Sequence, residues 1–345
     1  MCRQNRSICI PLGSVVVGFL LLRGGRGMAI SFQAKVVNAG LRLIVKPVVS
    51  RTRLTEAIMY VAKGGFDIAS ALSLPVPSIV DPECVDIDGV RGEWVDISSH
   101  INHGRVMLYL HGGGYFFGSA HSHRPLIWRF SALSSLKVLA LDYRQLPEFP
   151  YPAPLEDAMT AYQWLLKQGY KAENIVIGGD SAGGNLTLVA LQKIKEQNLP
   201  MPSCAVLLSP WADLSCSGQS MESNRYNDPV IPSNLLRFLS KHYVGDNDPK
   251  DPCLSPIHGD YRGFPPMLVY VGTTEVLLDD ARRVVEKAKE AGVYVEYKEW
   301  EKMPHVFPIL ATYLPEGKKA VKMMSTFINE HLGRVAKQRP RIVKF

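Results

Sequence analysis

The sequence predicts an α/β protein built on a mostly parallel sheet of about eight strands, with helices on both faces. Three observations carry this. Apolar, β-rich runs recur at 84–87, 93–97, 106–110, 138–141, 175–177, 205–208, 267–271 and 293–300. Helical patterns fall between the later runs, at about 156–168, 184–197, 279–291 and 316–333. One run, Ile175-Val176-Ile177, passes through Gly179-Asp180-Ser181-Ala182-Gly183 straight into a helical stretch.

Taken in order, residues 1–27 read as a tail and 28–75 as opening helices that contribute to a cap. The core covers 76–208 and 256–335, interrupted by a cap insertion at 209–255, and 336–345 is a basic C-terminal tail. The connection from 209 to 266 is too long for a simple crossover and contains a helical stretch at 234–243. There are no internal repeats and no low-complexity segments.

The strand–GxSxG–helix arrangement places Ser181 at the tip of a sharp turn, its hydroxyl pushed outward above a helix N-terminus. Small neighbours are needed because such a turn strains the backbone and brings strand and helix close. Glycine and serine are common, so the pattern needs support. His111-Gly112-Gly113-Gly114 supplies it, following the run 106–110 and lying 70 residues before Ser181. Backbone N–H groups in such a stretch can face a cavity and hold a developing oxyanion. Gly112, Gly113, Gly114 and Ala182 are the candidates for that task.

A base and an acid complete the chemistry. His305 lies in a loop after the strand 293–300, on the sheet rim where Ser181 should emerge. Three carboxylates compete for the acid after strand 267–271: Glu275, Asp279 and Asp280. Asp279 suits an N-cap and Asp280 a first helical turn, which leaves Glu275 free to reach the histidine. Glu275 is the choice, with Asp279 as runner-up.

These residues bear a family resemblance. His111–Gly114, Asp142-Tyr143-Arg144-Gln145-Leu146-Pro147-Glu148 with Pro150, Pro152 and Pro154, Gly179–Gly183, and Pro304-His305-Val306-Phe307 together resemble the hormone-sensitive-lipase-like family of α/β-hydrolase esterases. The resemblance runs from about residue 30 to about residue 332. It implies an α/β-hydrolase fold with a helical cap, and a serine carboxylesterase with Ser181, His305 and an acid as its triad. The family pattern at the acid reads Asp-Pro-Leu-x-Asp-Glu, whereas Glu275-Val276-Leu277-Leu278-Asp279-Asp280 stands here, so glutamate replaces the usual aspartate. The resemblance also implies short-to-medium-chain esters as substrates and makes a homodimer plausible. Tyr115, Phe116 and Phe117 should give the entrance an apolar wall. The rival functions are a lactone, carbamate or amide hydrolase using the same triad, and a non-catalytic ligand receptor, against which the presence of His305 argues.

Composition fits this reading. With 46% hydrophobic residues, a chain of 345 residues suits one large α/β domain with a small cap. The six cysteines show no CxxC spacing, as expected of reduced thiols in a cytoplasmic protein. No cofactor or metal is expected; His121 and His123 lack a nearby third ligand. The net charge of +7 comes from the ends: residues 1–27 hold four arginines, 332–345 five basic residues, and neither stretch an acid. The intervening body carries 30 basic against 32 acidic residues, so no nucleic-acid partner is expected. The apolar stretch 8–22 resembles a signal core but lacks a following cleavage site, and fifteen residues are short for a span. The favoured reading takes Met28 as the natural start, with a signal or anchor as alternatives and no membrane partner expected.

Overall fold

The apolar runs pair into one sheet. They form β1 (Glu83–Ile87), β2 (Val90–Val95), β3 (Val106–Leu110), β4 (Lys137–Asp142), β5 (Ile175–Asp180), β6 (Cys204–Leu208), β7 (Met267–Gly272) and β8 (Val295–Trp300). A computed structural model describes residues 30–51, 59, 76–78, 80–97, 102 and 104–332. The readings made for 1–27, for most of 52–75 and for 336–345 lie outside the described residues.

The spatial order is β1-β2-β4-β3-β5-β6-β7-β8. β1–β2 and β2–β4 are antiparallel, and every later pair is parallel. Parallel strands need crossovers, which cover both faces and bury the sheet. β3 shows the result: Val106, Leu108 and Leu110 join the core on one face, while Met107 and Tyr109 join the core on the other.

The crossover helices are α3 (Ala120–Ser134), α4 (Ala153–Lys167), α5 (Ala182–Glu196) and α8 (Leu278–Glu290), and α9 (Pro315–His331) follows the last strand. Ahead of the sheet lie α1 (Phe32–Gly40) and α2 (Lys46–Arg51), joined by a wider π-helical turn, Leu41–Val45. The long connection after β6 holds α6 (Ser220–Ser223) and α7 (Ser233–Val244). Helix α3 escapes the sequence reading. Its sequence is rich in Ser and His, and Pro125 lies inside it, which normally speaks against a helix. A capping box between Ser119 and Ser122 starts it, and apolar contacts of Leu126, Ile127 and Phe130 hold it down.

Candidate active site

Ser181 stands between β5 and α5 with φ 53° and ψ −119°, a strained conformation for a residue with a side chain. The surroundings enforce it. The Ser181 N–H donates to the Leu208 carbonyl, and the Ser181 carbonyl accepts from the Asn185 and Trp211 N–H groups. Gly183 must be glycine: a Cβ there would lie 1.9 Å from the Leu110 carbonyl oxygen, so no side chain fits between helix and sheet.

His305 and Ser181 line one cavity of about 460 Å³, together with Gly113 and Gly114. His305 Nδ1 lies 2.6 Å from Glu275 Oε2. Glu275 is fully buried. Its other oxygen accepts from Ser209 Oγ at 2.7 Å and from the Gly272 N–H. Ser209 Oγ in turn accepts the Val306 N–H at 3.3 Å, so one hydroxyl ties the acid to the histidine loop. Burial works to lower the His305 pKa, but the Glu275 carboxylate outweighs it, and the net shift is upward from 6.5.

Asp279 serves elsewhere. Helix α8 begins at Leu278, so Asp279 lies in its first turn rather than at the N-cap position expected from the sequence. Its carboxylate accepts the Ser220 N–H at 2.7 Å and pairs with Arg282 at 3.3 Å, holding the cap insertion. Asp280 accepts the Asp213 N–H at 2.9 Å.

The glycine loop is held from below. The Gly112 N–H donates to Asp180 Oδ1 at 3.0 Å, which corrects its expected place among the oxyanion donors: that N–H is already committed. Gly113, with φ 120°, and Gly114, with φ 65°, reach the cavity. A Cβ on Gly113 would meet the Phe117 carbonyl at 1.9 Å. Ala182 is the first residue of α5, where a helix leaves its N–H groups without intrahelical acceptors. Asp180 Oδ1 also accepts from Tyr109 Oη at 2.7 Å, and Asp180 Oδ2 lies 3.3 Å from His123 Nε2.

A sequence profile of the α/β hydrolase fold matches residues 107–309. An acetyl-hydrolase of Streptomyces hygroscopicus is 40% identical over 251 residues, covering 73% of this chain and 83% of that protein. An esterase of Acinetobacter venetianus is 37% identical over 244 residues, covering 70% and 80%. The crystal structure of an esterase from the bacterial hormone-sensitive lipase family superposes with a TM-score of 0.82 at 37% identity, covering 89% of this chain and all of the other. The chain belongs to the hormone-sensitive-lipase-like family of α/β-hydrolase esterases. It is a carboxylic ester hydrolase.

The esterase departs from the sequence reading at its aromatic wall. Of Tyr115, Phe116 and Phe117, only Phe117 lines the cavity. Tyr115 is buried, stacks on Tyr243 with centroids 3.8 Å apart, and donates from its hydroxyl to Asn185 Oδ1 at 2.6 Å. Phe116 is buried in the core. The apolar wall comes instead from the cap, through Val230, Ile231, Leu235, Leu236 and Leu239. Asn224 and Asp228 were not foreseen as site residues either. Asn224 Nδ2 donates to the Thr273 and Glu275 carbonyls at 3.1 and 2.8 Å, and Asp228 Oδ2 accepts the Val276 N–H at 3.0 Å. They sit about 50 residues before the acid loop, and a single sequence carries no signal linking such positions.

Among the described residues no group of three or more His, Cys, Asp or Glu side chains could hold a metal ion. The four described cysteines are free thiols. No described helix is long and apolar enough to cross a membrane.

Proposed function

We propose that the esterase cleaves short-to-medium-chain carboxylic esters through an acyl-enzyme on Ser181. The observation that carries this reading is the 2.6 Å contact of His305 with a fully buried Glu275, at the wall of the cavity that Ser181 also lines. His305 Nδ1–H donates to Glu275, which leaves Nε2 as the basic nitrogen. Nε2 takes the Ser181 proton as the hydroxyl oxygen attacks the ester carbonyl. Glu275 stabilises the resulting imidazolium. The N–H groups of Gly113, Gly114 and Ala182 receive the oxyanion, each contributing about 3–4 kcal/mol to the transition state. The imidazolium then protonates the departing alcohol, and water, activated by the same nitrogen, releases the acid.

Cavity size and lining support the substrate class. A space of about 460 Å³ walled by Phe117, Ile231, Leu236, Leu239 and Ile309 accommodates an apolar acyl chain of modest length. The Streptomyces relative is named for acetyl release, in keeping with small acyl groups. The test is a hydrolysis profile across p-nitrophenyl esters of increasing acyl length, run beside Ser181→Ala. Rates should peak at short or medium chains and vanish in the variant. A fluorophosphonate should label the parent on Ser181; a parent that neither turns over esters nor takes the label would overturn the reading.

A further inference from the structure

The N-terminal helical run carries a surface that ester cleavage does not use. α1 is anchored on one side: Ala34 is buried, and the Ser31 N–H and hydroxyl both donate to the Glu316 carboxylate, at 2.7 and 2.9 Å. The opposite side faces outward and is apolar. Phe32 and Leu43 are each 77% exposed, Ile44 70% and Val36 53%. Helical spacing puts Phe32 and Val36 on one face of α1, and Leu43 and Ile44 follow in the π-helical turn. Single exposed apolar side chains are ordinary, but a cluster of this kind marks an interaction site.

Beside the stripe lies a polar cavity of about 560 Å³, lined by Lys35, Arg42, Lys302, Asn38 and Asn224 among others, with Glu301 as its acidic member. The charge pattern isolates this end of the molecule. Residues 30–51 hold four Lys or Arg and no acid, whereas residues 52–331 carry 32 acidic against 26 basic side chains. Arg42 donates to the Asn227 carbonyl, and Lys46 to those of Arg225 and Asp228. These acceptors are neutral carbonyls, although the Asp228 carboxylate also acts on the Lys46 charge.

Two kinds of occupant fit an apolar stripe. A second copy docking by two-fold symmetry would set the same patch against itself, and with it two sets of the cations Lys35 and Arg42 in one interface. A surface of anionic lipid instead complements both halves of the feature: acyl chains receive the apolar side chains, and phosphates meet the cations. We propose that this face docks the esterase on an anionic lipid surface, with Phe32, Val36, Leu43 and Ile44 inserted and Lys35, Arg42 and Lys302 facing the headgroups. The acidic body is repelled by the same surface, which fixes the orientation. The turn that Arg42 and Lys46 grip leads directly into Val230 and Ile231 of the catalytic cavity wall, so the docked face and the ester site share a boundary.

The experiment is flotation of the full chain with phosphatidylcholine vesicles, with and without phosphatidylglycerol. The parent should float with the anionic vesicles and be released by high salt. Phe32→Glu/Leu43→Glu should cut the bound fraction about tenfold, and Lys35→Glu should cut it severalfold. Hydrolysis of a soluble p-nitrophenyl ester should stay at the parental rate in all of them. Should the double glutamate variant melt early, Phe32→Ser/Leu43→Ser replaces it with the same expectation. Absence of flotation, equal flotation on neutral vesicles, or equal flotation of parent and stripe variants would overturn the proposal; the last outcome would place lipid binding elsewhere in the chain. A dimer in sedimentation that the stripe variants dissolve, without vesicle binding, would assign the face to a second copy.

Discussion

Asp228 in the cap accepts the Val276 N–H at 3.0 Å, one residue beyond the carboxylate that meets His305. Its other oxygen accepts the N–H groups of Val230 and Ile231, both in the cavity wall. One buried carboxylate therefore ties the wall of the substrate cavity to the loop carrying Glu275. Asp228→Asn keeps the shape but must turn an NH2 group toward at least one of three N–H donors. One buried donor is left unpaired, at about 1–3 kcal/mol. Stability should fall by that amount in denaturant titration. Because small misplacements of a catalytic group are costly, kcat should drop on the order of tenfold with KM little changed. Parental kcat in a folded variant would show that the acid loop holds itself.

Glu275 and Asp279 separate cleanly by substitution. Glu275→Gln cannot stabilise imidazolium and can favour the wrong tautomer, so kcat should fall by roughly 10³–10⁴ while the fold persists. Asp279→Asn leaves the His305 contact untouched and weakens the Ser220 and Arg282 contacts instead. Its kcat should stay near parental and its melting temperature should drop by a few degrees, about 1 kcal/mol. Steady-state rates and melts on the two variants check this, and a reversed order of activities would move the acid to Asp279.

The contrast between those two carboxylates shows what a sequence makes legible. The strands were readable because burial on both faces demands unbroken apolar runs such as Val106–Leu110. The places of Ser181 and His305 were readable from a tight small-residue turn and a loop at a strand end, and the structure brings both residues to one cavity. Glu275 stood out because a helix has uses for its two rivals, and the structure puts its carboxylate 2.6 Å from His305. Helix α3 was hidden because tertiary contacts and a capping box overrode a proline and weak periodicity. The roles of Gly112, Tyr115 and Phe116 were hidden for another reason. Whether an N–H or a ring faces a cavity depends on what lies beneath it, here Asp180 and Tyr243, residues distant in sequence.

In the proposed mechanism the raised His305 pKa sets the acid side of the activity profile. A general base must be neutral, so activity is lost as pH falls through the pKa of the free enzyme. The half-maximal point of kcat/KM should therefore lie above the unperturbed histidine value of about 6.5. Glu275→Gln removes the largest upward influence on His305, leaving burial opposed only by Asp228 and Asp180, and the residual activity should show an acid limb displaced to lower pH. Rate–pH profiles on a neutral ester test both statements; identical limbs in parent and variant would mean the carboxylate does not act on the imidazole.

The ion pair of His123 with Asp180 should leave its own mark, on stability. Both imidazole nitrogens face acceptors: Nε2 meets Asp180 Oδ2, and Nδ1 lies 3.1 Å from the Ser119 carbonyl. Burial opposes charge on His123, but the Asp180 carboxylate prevails and the pKa is raised; Asp142 acts in the same direction. Burial likewise opposes charge on Asp180, yet His123 and the Tyr109 hydroxyl leave its pKa lowered. The third titrating ring at this place, His111, is pushed down to about 3 by burial and by the charge on His123. It therefore stays neutral, stacked on Tyr143. A raised histidine pKa stabilises the fold fully below the unfolded value and progressively less as pH climbs through the folded value, whereas the lowered aspartate pKa contributes above its own unfolded value. The pair is thus at full strength between about pH 4 and 6.5 and fades on the alkaline side. His123→Gln keeps a donor toward Asp180 but carries no charge. Its melting temperature should fall furthest below the parent's near pH 6, and the gap should narrow toward pH 9. A gap that does not change with pH would mean that His123 holds Asp180, and through it Gly112, as a neutral ring.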